Sequence, residues 1–245
     1  MSEVLAKDTI LSYIGSEIES KASSVSIRAI NERGREAVEK TAFPTKKDED
    51  WRFINLKSIT KNSFVSVNDA GVKDAGDISG HYLPEALNTR LVFVNGVYNE
   101  TLSSVDGLPK GVIVGNLSEY ADHETVKEYL GTITNYEDDV FAPFNDAVFS
   151  DGTFIYVPEE TTVEAPIHIL NVFTDAEKPF FATPRLLFVG EMYSKATIIE
   201  EHIGLSNNAY LNVPVTEFKL FSGAHVHHAR IQRDSKTASH VSRPI

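Results

Sequence analysis

The feature that most restricts this chain is a repeat in its last hundred residues. Three segments share one plan: Phe154-Ile155-Tyr156-Val157 leading to Ala165-Pro166-Ile167-His168-Ile169-Leu170, Leu186-Leu187-Phe188-Val189 leading to Ala196-Thr197-Ile198-Ile199-Glu200, and Glu217-Phe218-Lys219-Leu220 leading to Ala224-His225-Val226-His227-His228. Each joins an apolar strand, a turn and a second strand that opens on alanine, and the alanines stand 31 and 28 residues apart. A short period made of strands, with no helix between them, suggests a solenoid of stacked β coils. A sandwich of antiparallel hairpins is the competing architecture, but Asn-Gly turns are absent after residue 141.

The chain ahead of the repeat divides in two. Residues 1–65 read as a helical domain. Ile10, Leu11, Ile14 and Ile18 keep a helix period, and so do Ile27, Ile30, Ala37 and Val38, until Phe43-Pro44 stops the second helix. The run Lys46-Lys47-Asp48-Glu49-Asp50-Trp51-Arg52-Phe53-Ile54-Asn55-Leu56 follows, with Asp48 placed to cap a short helix anchored by the only tryptophan. It reads as a hinge packed by Trp51 and Phe53, or else as a docking surface. Residues 66–140 form an acidic mixed linker and entry region. Leu91–Val94 is a strand, Asn95-Gly96 a tight turn into Val97-Tyr98, Val112–Val114 a strand, and Ala121–Leu130 a short helix. Residues 141–245 are then the first coils of the β stack.

Charge and composition narrow the function. The net charge is −12, and residues 66–180 carry 20 acidic but only 5 basic side chains, which argues against a phosphate-rich partner such as nucleic acid. There is no cysteine, so disulfides, thiolate zinc sites, a cysteine nucleophile and a cluster held by this chain's own thiolates are excluded. No apolar run approaches the ~20 residues of a membrane span, and the N-terminus lacks a signal-peptide pattern, so a cytoplasmic protein is expected. Neither G-x-G-x-x-G, nor a P-loop, nor G-x-S-x-G occurs. The carboxylate pairs Glu159-Glu160 and Asp138-Asp139 fall in turn-like segments.

Six motifs in a fixed order are specific. Lys46 to Leu56, Leu91 to Gly96, Leu108 to Val112, Phe144 to Gly152, Pro166 to Ile169 with Pro184 to Leu187, and Ala224 to Gln232 together resemble the SufB/SufD family of iron–sulfur cluster assembly proteins. The helical start and the lack of cysteine favour the SufD branch. The resemblance implies an N-terminal helical domain, a right-handed parallel β-helix and a C-terminal helical domain. It further implies a non-enzymatic subunit that acts with a SufB-like scaffold and a SufC-like ATPase in cluster assembly or iron acquisition. On that pattern the chain stops inside the β-helix and reads as the N-terminal portion of a longer protein. Most contacts to those partners, and the family's functional histidine, then lie beyond residue 245, so no catalytic residue is carried over. A carbohydrate-active β-helix enzyme, or a stand-alone iron-binding module, is the alternative.

Five of the eight histidines follow residue 200. If the alanines set the register, Glu200 and His228 are equivalent on adjacent coils, and His168 and His227 two coils apart. Imidazole with carboxylate suits iron(II) or zinc. Glu200, Glu201, His202, His225, His227 and His228 are therefore candidates for a transient metal site, set against a hydrogen-bonded polar ladder as the plainer reading. No cofactor is expected to be held firmly; iron is the transient candidate.

Overall fold

The computed structural model describes residues 24–54, 56–133 and 140–244. The helix read over Ile10–Ile18 and the pair Asp138-Asp139 lie outside them. The molecule is mostly sheet with few helices.

Helix α1, Val25–Lys40, begins where the Ser24 hydroxyl accepts a hydrogen bond from the Ile27 amide at 3.2 Å. It ends at Thr41, whose amide and hydroxyl both donate to the Ala37 carbonyl. Ile27, Ile30 and Val38 line its buried side, the face set by the helix period. The Trp51 motif forms a single 3₁₀ turn, Glu49–Trp51. Asp48 precedes it but turns its carboxylate back to the amide and hydroxyl of Thr45, so it caps its own loop and not the turn. Trp51 packs at 5.3 Å from the Phe141 ring, whereas Phe53 is 90% exposed. The packed hinge therefore rests on Trp51 alone. After the short helices α2, Lys57–Thr60, and α3, Glu124–Tyr129, the helix α4, Phe141–Val148, lies across α1. Gly34 makes that crossing possible: a Cβ there would sit 2.5 Å from the Ala147 amide nitrogen.

Strand β1, Thr89–Val94, turns through Asn95 (φ 53°) and Gly96 (φ 85°) into β2, Val97–Tyr98, as the sequence pair requires. The next strands are β3, Ser104–Val105, β4, Ile113–Asn116, and β5, Thr153–Val157. From β6, Ile167–Phe173, the chain enters a fixed rotation: β7, Phe180–Ala182; β8, Arg185–Gly190; β9, Lys195–Gly204; β10, Tyr210–Asn212; β11, Val215–Leu220; β12, His225–Arg233; β13, Ser239–His240; β14, Arg243–Pro244. Every third strand joins the same sheet. One sheet runs β12-β9-β6-β1-β2 with β3 also on β1, the second β13-β10-β7, the third β14-β11-β8-β5-β4. Pairing along β1-β6-β9-β12, β7-β10-β13 and β5-β8-β11-β14 is parallel, and β2, β3 and β4 attach antiparallel. The hairpin sandwich is thereby excluded.

Side chains alternate across these strands. Phe93, Ile155, Ile167, Ile169, Phe188, Ala196 and Ile198 meet between the first and third sheets. Phe154, Leu187 and Val189, on the other face of the third sheet, pack beneath Ile27 and Ile30 of α1. Phe43, Phe141 and Phe144 cover Phe181 and Leu211 of the second sheet. Helices and coils thus share two hydrophobic clusters, and β1 and β4 of the middle region are strands of the coil sheets.

Under α4 lies a buried ion group. The Arg185 guanidinium bridges Asp146 and Glu217, with Nη2 donating to Glu217 Oε2 at 2.6 Å, and all three side chains are 0% exposed. Burial alone would lower the arginine; the two carboxylates outweigh it and raise it. Asn145 donates to the carbonyls of Pro184 (3.1 Å) and Val213 (2.6 Å). These bonds tie α4 to the third sheet and fix the helices on the coils.

Candidate functional site

The register differs from the alanine alignment by two residues. Ala165 and Ala196 do align, since Ile167 faces Ile198, but Ala196 faces Val226, and Ala224 corresponds to Ser194. Both of those small residues sit in the corner that precedes a strand, where Ala224 donates to the Phe221 carbonyl and Ser194 to that of Glu191. Glu200 therefore faces Arg230, not His228, and His168 aligns with Ile199 and Ala229, not His227. A slip of two keeps each side chain on its face, so Glu200 and His228 still meet as diagonal neighbours.

Glu200 and His202 point inward from β9, and His228 and Arg230 from β12. One carboxylate is shared. Glu200 Oε1 lies 2.9 Å from His202 Nε2, and Oε2 lies 2.9 Å from both His228 Nε2 and Arg230 Nη2. Burial alone would raise the Glu200 carboxyl; the hydrogen bonds from His202 and His228 and the Arg230 charge outweigh it and hold it well below the usual range. Burial lowers His202, against the pull of Glu200. With Nε2–H given to Glu200, Nδ1 of a neutral His202 accepts from Asn212 Nδ2 at 2.9 Å. Asn212 Nδ2 also stands 3.2 Å from His240 Nδ1, whose N–H donates to Asp234 at 2.7 Å, and the Tyr210 hydroxyl donates to the same carboxylate at 2.7 Å. Phe173 stacks on Tyr210 at 4.6 Å and parallel to His202 at 6.3 Å. Asn212, His240, Tyr210 and Asp234 were missed in the sequence because they come from two- or three-residue strands and a loop with no motif of their own.

On the opposite face of the first sheet, Glu201 meets His168 Nε2 at 3.1 Å and also pairs with Arg233. Burial lowers His168, and Arg90 adds to that, against Glu201. His225 and His227 are exposed on this outward face of β12, away from Glu200. The six candidates therefore do not converge: Glu200, His202 and His228 form one group, Glu201 a second, His225 and His227 a third.

Among the described residues, no three histidine or carboxylate side chains are arranged to hold a metal ion. The inner group has a physical reason. An ion bound to Glu200 at about 2.1 Å would stand roughly 5 Å from the Arg230 guanidinium. At an effective dielectric of about 20 that repulsion costs roughly 7 kcal/mol. With Arg230 in place, this carboxylate works as the hub of a polar ladder. Also among the described residues, no helix is long and apolar enough to cross a membrane.

Comparison with known proteins places these elements in context. Residues 15–169 match the family described as SufBD protein N-terminal region, and residues 172–244 match the SufBD core domain of the SUF system for FeS cluster assembly. An iron–sulfur cluster assembly SufBD family protein of Synechocystis is 33% identical over 210 residues, which are 82% of this chain and 46% of that protein. The chloroplastic protein ABCI7 of Arabidopsis thaliana is 26% identical over 91% of this chain and 47% of its own length. The iron–sulfur cluster assembly protein SufB of Plasmodium falciparum is 31% identical over 38% of this chain and 19% of its own. The chain spans about half the length of the first two relatives.

Proposed function

Because the chain belongs to the SufBD family of iron–sulfur cluster assembly proteins, we propose that it works as a SufD-type subunit of a cluster-assembly complex. Its partners are a SufB-like scaffold and a SufC-like ATPase. The observation that carries this reading is the joint match of the N-terminal region and the core domain, in order, over residues 15–169 and 172–244. The absence of cysteine supports the SufD type over a scaffold that holds a cluster on its own thiolates. The rotation of strands through three sheets supports reading the coils as a parallel β-helix, right-handed as parallel crossovers in one sheet nearly always are. In this role the chain performs no catalysis of its own, since nucleotide hydrolysis belongs to the ATPase. Iron visits it only in transit, and it acts in the cytoplasm.

Native mass spectrometry of complexes drawn from the protein's own cells tests the proposal. The expected particle holds this polypeptide together with an ATPase and a paralogous scaffold. A particle containing this polypeptide alone, at every concentration tried, overturns it.

A further inference from the structure

We propose that His225 and His227 form a divalent transition-metal site on the outward face of β12, distinct from the buried Glu200 group and independent of the cluster-assembly reading. The two residues are i and i+2 on one extended strand, so both project from the same face, about 6.7 Å apart along the backbone. Val226 and His228, between and after them, point the other way, into contact with the inner core and Glu200. The strand therefore fixes the two imidazoles side by side and keeps them out of the interior.

Three features separate this pair from the inner group. Both side chains are exposed, and among the described residues neither has a side-chain hydrogen bond or ion pair. No arginine is anchored against them, whereas Glu200 is bound by Arg230. Their ring nitrogens are thus open to an incoming ion, each bond to which would be about 2.0–2.1 Å for zinc. A further strand pairing along β12 would use backbone groups in the sheet plane and would leave this face open.

Two imidazoles with no carboxylate suit zinc(II), nickel(II) or copper(II) over magnesium or calcium. They fill two coordination positions and leave the others to water or to an exchanging ligand, so the ion is held loosely and can be passed on. The neighbour that opposes binding is Lys195, exposed and directly paired with His225 across the strands. Its long stem lets the ammonium swing aside, but it weakens the site.

The test is calorimetric titration of the tag-free full chain with zinc chloride, with the histidine ring signals followed by NMR. One ion per chain is expected, shifting the rings of His225 and His227. His225→Ala and His227→Ala should each weaken binding at least tenfold, and Lys195→Gln should tighten it several-fold. His228→Ala, verified as folded by circular dichroism, should bind within twofold of the parent. The proposal is overturned if the parent binds no zinc at 1 mM, if either exposed-histidine variant binds like the parent, or if zinc shifts the rings of His202 and His228 in place of His225 and His227.

Discussion

Replacing Arg185 by methionine isolates what holds the helices to the coils. The guanidinium is the cation shared by Asp146 and Glu217, each 0% exposed, and methionine keeps the apolar stem while removing the charge. Glu217 still accepts from the Gly131 amide at 3.1 Å, and Asp146 keeps the half-exposed Arg33 at 3.4 Å. Removing one partner of a buried ion group costs about 3–5 kcal/mol, because the remaining charge stays desolvated. For a chain of this size about 4 kcal/mol lowers the melting temperature by roughly 12 °C. Calorimetric melts of the parent and the variant measure the loss. Making Asp146→Leu and Glu217→Met as well should restore much of the loss, because the charges are then gone together. A loss under about 1 kcal/mol for Arg185→Met would refute the argument.

Three further outcomes are expected. Gly34→Ala should destabilise by roughly 1–3 kcal/mol by chemical denaturation despite alanine's better helix propensity, since its Cβ would press on the Ala147 amide across the α1–α4 crossing. Glu200→Gln should cost about 3 kcal/mol at pH 7, leaving Arg230 without its counter-charge; because the Glu200 carboxyl is held low in the fold, the parent's advantage should be full above about pH 4.3 and shrink as pH falls toward the folded value, read from paired melts. Burial lifts Asp151 to about 6, so its ionisation weakens the fold as pH rises from about 4 to 6; Asp151→Asn should melt higher than the parent at pH 8 and lose that gain at pH 4.

The strands of the repeat were legible because their residues are apolar or aromatic over four positions, as in Phe154–Val157 and Leu186–Val189. Asn95-Gly96 was legible because few pairs accept two successive positive φ angles. The second sheet was not: Phe180–Ala182, Tyr210–Asn212 and Ser239–His240 are too short to show alternation, and only pairing across the coils makes them strands. The register failed at Ala224, a small residue that marks a corner and not a strand start. That single misplacement set His228 directly opposite Glu200 and concealed Arg230, the residue that decides the chemistry of the inner group. Likewise Phe53 and Trp51 look alike as aromatic anchors in the sequence, but only Trp51 finds Phe141 across the chain.

The two edges of the six-stranded sheet are unlike. On β1 the outer edge is closed by β2 and β3, by the Ser103 hydroxyl accepting from the Val92 amide at 2.9 Å, and by the Asn99 amide donating to the Val92 carbonyl at 2.9 Å. A head-to-tail fibre needs two complementary free edges on every copy, one to give and one to receive. With the β1 edge closed in this way, a strand from another copy finds no backbone groups to pair with along it.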